Sequence, residues 1–166
     1  MASTYSQIAT QTLGSATSTV TFSSIPQTYT NLVLVSSAAV VSSSGDLLMT
    51  FNTDTGTNYS YTTITGNGTT AISARSSNRN NIPCDYNGWL STTLGNNICV
   101  ISIMSYANTT TFKTALTRSN NGPLGTDANV GMWRSTAAIN QIVFVNNAGS
   151  NFATGSTFTL YGIKGA

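Results

Sequence analysis

The sequence predicts an all-β chain: an antiparallel β-sandwich, jelly-roll-like, of eight to nine strands. Three observations lead there. Apolar and polar residues alternate with period 2 along most of the 166 residues. The candidate strands are short, roughly evenly spaced and separated by Asn-Gly and Gly-containing turns rather than by helical segments. Polarity comes from 22 Ser, 29 Thr and 18 Asn, while only ten residues carry a charge; that is 6%, against about 25% in a typical domain.

Taken in order, Thr19-Val20-Thr21-Phe22 alternates strictly. Asn31-Leu32-Val33-Leu34-Val35 is nearly continuous apolar sequence and suits a central strand. Strands are expected next over 46–51 (DLLMTF) and 58–64 (NYSYTTI). The most apolar stretch, 98–104 (ICVISIM), is predicted to cross the core. Residues 111–117, 139–145 and 156–163 complete the set, each rich in β-branched or aromatic residues. Thr53-Asp54-Thr55-Gly56 reads as a hairpin connection, and Asn67-Gly68, Asn87-Gly88 and Asn121-Gly122 supply residues that tolerate positive φ. Residues 36–44 hold too much Ser and Val for a helix.

Residues 1–166 read as a single domain with two special regions. An N-terminal arm, 1–12, is suited to pairing as an added strand. The irregular stretch 71–95 reads as a long loop excursion, and long loops in compact domains tend to carry function.

The chemistry of the chain is defined by what it lacks. It contains no His and no Glu, so the commonest general base and the triads built on it are absent. No spacing places two of Asp46, Asp54, Asp85 and Asp127 together, as a glycosidase would need. There is no phosphate-cradling or nucleophile-elbow motif. These absences predict a non-enzyme with no cofactor and no metal site. Asn52-Thr53-Asp54-Thr55-Gly56-Thr57-Asn58 places oxygen donors at alternate positions, which fits a hairpin turn better than a weak calcium loop. Few groups titrate near neutrality, so folding is expected to depend little on pH.

Six scattered cations against four Asp give a net charge of +2. Without a basic patch, nucleic-acid binding is not expected; the low charge favours association. No apolar stretch reaches 18 residues, so no membrane helix is expected. The opening Met1-Ala2-Ser3-Thr4-Tyr5 has no basic segment or apolar run and is expected not to act as a signal peptide. Cys84 and Cys99 form no metal-binding pattern; two buried free thiols fit best, with a bridge as the other arrangement. The three Asn-X-Ser/Thr triplets, at Asn58, Asn67 and Asn108, are expected by chance in so Asn/Thr-rich a chain.

Of the aromatics that might hold a sugar (Tyr59, Tyr61, Tyr86, Trp89, Tyr106 and Trp133), those on alternating strands are expected to cover the core. Trp89, beside Asn87-Gly88, is expected to be exposed or in contact with a partner. Arg75 and Arg79 in the same stretch are either solvated loop charges or interface anchors. Arg75, Arg79, Tyr86 and Trp89 are therefore the candidate partner-interface residues.

Several segments resemble a family of small tailed-phage virion proteins found in environmental phages, including cyanophages. They are Tyr5-Ser6-Gln7-Ile8-Ala9-Thr10-Gln11-Thr12-Leu13-Gly14, the run from Val20 through Ile25-Pro26-Gln27-Thr28-Tyr29 to Leu34, Phe51-Asn52-Thr53-Asp54-Thr55-Gly56, and the ending Phe152-Ala153-Thr154-Gly155 through Ile163. The resemblance covers about the first 70 and the last 15 residues and leaves 71–147 without a match. It implies a structural protein of the virion, made in the host cytoplasm, and brings no catalytic residues with it. The expected role is a capsid decoration (cement) protein bound to the major capsid protein or other virion proteins, as a dimer or trimer. The alternative is a tail-fibre or tail-tip module that holds a host glycan.

Overall fold

The computed structural model describes residues 4–165. Twelve strands are present: β1 (Tyr5–Thr12), β2 (Thr19–Phe22), β3 (Asn31–Ser37), β4 (Leu47–Phe51), β5 (Tyr59–Gly66), β6 (Ala71–Arg79), β7 (Ile82–Pro83), β8 (Asn97–Met104), β9 (Lys113–Asn121), β10 (Gly125–Trp133), β11 (Ile142–Asn146) and β12 (Thr157–Ile163). An eight-stranded sheet has the order β1-β12-β3-β8-β9-β10-β5-β6, and a four-stranded sheet the order β2-β11-β4-β7. Every pairing between these strands is antiparallel.

Setting aside the hairpins β5–β6 and β9–β10 leaves eight strands. Numbered afresh along the chain, they form sheets of order 1-8-3-6 and 2-7-4-5, which is the jelly roll. The two hairpins continue one sheet beyond the sandwich, giving twelve strands rather than eight or nine.

All eight expected strand segments are strands, and β1, β6, β7 and β10 are additional. β1 occupies most of the expected arm: over Tyr5–Thr12 it pairs with β12 of its own chain, and residues 1–3 lie outside the described residues. The expected loop excursion over 71–95 is corrected as well. Its first nine residues form β6, paired with β5, and Ile82–Pro83 pair with β4. Thr53–Gly56 joins β4 to β5, which lie in different sheets, so it is a corner between sheets and not a hairpin.

The sandwich core sits between β3, β8 and β12 on one side and β2, β4 and β11 on the other. Leu32, Leu34, Ile101, Ile103, Phe158 and Leu160 face Phe22, Leu47, Met49, Phe51, Ile142 and Phe144, all buried. Phe158 lies 5.7 Å from Phe144 and 5.4 Å from Phe152 between ring centroids. Each such side chain contributes about 1.5–3 kcal/mol through burial. Tyr59 is a core residue, as the alternation predicts, and so are Tyr106 and Trp133, which lie outside the expected strands. Cys84 and Cys99 are free and buried.

Candidate interaction face

The sheet extension is built differently from the sandwich. On the inward side of β9, β10 and β5, Tyr59, Ala115 and Trp133 join the core at one end, and beyond them the buried residues are Thr117, Ser119, Asn121, Asp127, Asn129, Thr63 and Thr65. They stand in register: Ser119 opposite Asp127 opposite Thr65, and Thr117 opposite Asn129 opposite Thr63. This polar surface is covered by the strap 84–90, which follows β7. Backbone pairing reaches only its two ends, where the Cys84 N–H donates to the Leu47 carbonyl and the Gly45 N–H to the Leu90 carbonyl, so the groups between need side-chain partners.

The sequence supplies them. Asn129 Nδ2 donates to the carbonyls of Pro83 and Cys84, each at 3.3 Å, and Asn121 Nδ2 donates to that of Trp89 at 2.7 Å. The Tyr86 N–H donates to Asp127 Oδ2 at 2.6 Å, and the Gly88 N–H to Asp46 Oδ1 at 2.6 Å. Asp85 turns the other way and accepts from the Leu47 N–H at 2.7 Å. Asn87 and Gly88, with φ of 75° and 69°, turn the strap through the left-handed region.

Three of the four aspartates thus meet at one strap, although no sequence spacing pairs them. Burial pushes the Asp85 carboxyl well above the ordinary range against the pull of the Leu47 N–H, and the charges of Asp46 and Asp127 add to the rise. Burial also raises Asp46, opposed by its bond from Gly88. No cluster of three or more Cys or Asp side chains among the described residues is arranged to hold a metal. At the corner between sheets, partial burial raises Asp54, but donors from Trp133 Nε1, Asn58 Nδ2 and the Gly56 N–H outweigh it and hold its carboxyl below the ordinary value.

The outward side of the same strands carries an apolar patch among polar residues. Ser102, Leu116, Val130, Thr62 and Arg75 form one cross-strand row, and Val100, Arg118, Ala128, Ile64 and Ser73 the next. Leu116 is 41% exposed, Val130 49% and Ile64 62%; Ile98 and Met104 are exposed on the same face. Leu116, Val130, Ile64 and Ala128 border a shallow hollow of about 440 Å³. Ser60, Thr62, Arg75 and Thr114 border a neighbouring one of about 590 Å³. In a sheet with one solvated face, the apolar residues belong on the covered side. Beyond the core the polarity is locally inverted: the covered residues are polar, and an apolar patch lies on the open side.

No protein-family model and no curated protein matches this sequence.

The four interface candidates do not form one patch. Arg75 is exposed on the apolar face, opposite Thr62. Arg79 is exposed and opposite Tyr59, hence on the other side of the sheet. Tyr86 is half-buried against Tyr61, with ring centroids 6.0 Å apart. Trp89 is only 7% exposed, which overturns its expected exposure. Its ring takes the space where a side chain at Gly125 would lie, so it fastens the strap to the β9–β10 hairpin. The residues that sequence reasoning missed are Ile64, Leu116, Arg118 and Val130. Ile64 and Leu116 lie in expected strands, but alternation identifies two faces without saying which is covered, and Val130 lies in β10, which was not expected.

Proposed function

We propose that this chain is a non-enzymatic structural component of a tailed-phage virion, a capsid decoration protein that binds the major capsid protein or another virion protein and stabilises the head. The observation that carries this reading is the inverted extension. Contiguous exposed apolar surface is rare on independent soluble proteins and marks an interaction site. A jelly roll by itself implies no function, so the weight falls on this face and on the resemblance at both ends of the chain. Adding purified protein to heads that lack it should give saturable binding and raise their rupture temperature. Absence of both effects would sink the reading.

A second reading, a tail-fibre or tail-tip module, is favoured by the hollow that combines Ser60, Thr62 and Thr114 hydroxyls with Arg75. Those groups suit a neutral or acidic glycan. Strong, selective signals on a glycan array would favour this reading over decoration.

A further inference from the structure

The ionic groups of this chain are sorted by sign. Each carboxyl is engaged internally: Asp46 by Gly88 and Asn147, Asp54 by Trp133, Gly56 and Asn58, Asp85 by Leu47, and Asp127 by Tyr86. Three cations are also engaged. Lys113 Nζ donates to the carbonyls of Thr111 and Thr136, Arg134 to the carbonyl of Thr57, and Lys164 lies 5.9 Å from the Tyr29 ring centroid. Arg79, on the other side of the sheet, has neither an ion pair nor a hydrogen bond among the described residues, and the same holds for Arg75 and Arg118. Both project from the apolar face. Their Cα atoms stand roughly 16 Å apart, three strands across and two residues along. Leu116, Val130, Ala128 and Ile64 lie between them.

We propose that this face docks on a different protein, whose matching surface is an apolar ridge flanked by two carboxylates spaced to meet Arg75 and Arg118. The inference rests on the assembly reading above and adds the chemistry of the partner.

A second copy fits poorly. Two-fold pairing would bring four guanidinium groups into one dehydrated interface, and the described residues offer no free carboxylate to answer them. Buried unpaired charge of one sign opposes association strongly. The size suits a stable complex: five strands at about 4.8 Å spacing and nine residues at about 3.4 Å rise give a flat footprint of roughly 730 Å². One side of a standard interface is about 800 Å².

The test uses the full chain, the apolar anion anilinonaphthalene sulfonate as probe, and sedimentation of the free protein. We expect a monomer that binds the dye. Arg75→Glu/Arg118→Glu should weaken dye binding at least about tenfold. Arg79→Glu/Lys164→Glu, of the same net charge, should leave it unchanged. Equal dye binding by the two double variants overturns the proposal, and so does a dimer of the free chain that Val130→Asp dissociates. Heads lacking the protein separate this proposal from the parent reading. Failure of the wild type to bind heads, with the dye result intact, removes the virion reading and keeps the face. Undiminished head binding by Arg75→Glu/Arg118→Glu removes the face.

Discussion

A carboxyl buried without a cation is costly to ionise, and Asp85 is fully buried with Oδ2 left without a partner. Its raised pKa ties stability to pH. The folded state holds the Asp85 proton more tightly than the unfolded chain does, so this contribution is complete below the unfolded value of about 3.9 and is lost as pH rises through the folded one. Asp46 acts in the same direction. Asp54 acts oppositely, since its lowered value costs stability only as pH falls through the strongly acidic range. The burial of Asp85 and Asp46 runs against the expectation of pH-independent folding and predicts that the unfolding free energy climbs as pH falls from 7 toward 4. Asp85→Asn keeps the acceptor for Leu47 and places a neutral amide beside Asn97, whose Oδ1 has no partner. It should stabilise the protein at pH 7 by about 1–3 kcal/mol and flatten the curve; urea titrations across pH measure both effects. At the corner between sheets, Asp54→Ala strips the partner from Trp133 Nε1, whose ring is buried. A loss of about 1–3 kcal/mol is expected in the same titrations.

Among the elements, the strap depends on side chains that look misplaced in a strand. Asn129 Nδ2 serves the carbonyls of Pro83, at the end of β7, and Cys84, at the start of the strap, together with Thr117 Oγ1, so Asn129→Ala leaves buried acceptors unmatched. A loss of about 2–4 kcal/mol is expected, with faster amide exchange over residues 84–90 as the specific sign. The same side chains explain what the sequence concealed. β10 reads Gly-Thr-Asp-Ala-Asn-Val-Gly-Met-Trp, and its covered face carries Asp127, Asn129 and Gly131. A period-2 search for apolar residues passes over such a strand, because what it covers is a strap that needs hydrogen bonds. Gly131 is required there for another reason: a Cβ would lie 2.3 Å from Ile82 Cγ2. β6 hides differently, being largely exposed along its length with no buried face to leave a pattern. β3 and β8 were legible because they cross the sandwich core with Leu32, Leu34, Ile101 and Ile103 inward. The apolar face was legible as residues and illegible as a face, since only the pairing of β9, β10 and β5 lines up Leu116, Val130 and Ile64.

Over the whole molecule, the chain divides into parts held by different forces. The sandwich is closed by pairing between its two ends, β1 with β12, and by a core drawn from both sheets. The extension consists of two local hairpins, turned at Asn67–Thr70 and Asn121–Leu124, over a polar layer that is hydrogen-bonded only in part, the Thr63 and Thr65 hydroxyls having no partner among the described residues. Apolar burial dominates the stability of a domain, whereas net hydrogen-bond gains are about 1 kcal/mol each. The extension should therefore open at lower cost than the sandwich, and β6, paired on one side only, should open first. Native-state hydrogen exchange tests this. Amides of β3, β8 and β12 should exchange only through global unfolding, with a denaturant dependence equal to that of the whole protein. Amides of β6 should exchange at least about 100-fold faster, through an opening that costs roughly 3 kcal/mol less. When the apolar face is covered by its partner, β5, β9 and β10 should gain protection while β3 and β12 do not change. Equal protection of β6 and β3 in the free protein would mean that polar layer and apolar core hold the sheet equally well, and that the extension is no separate unit.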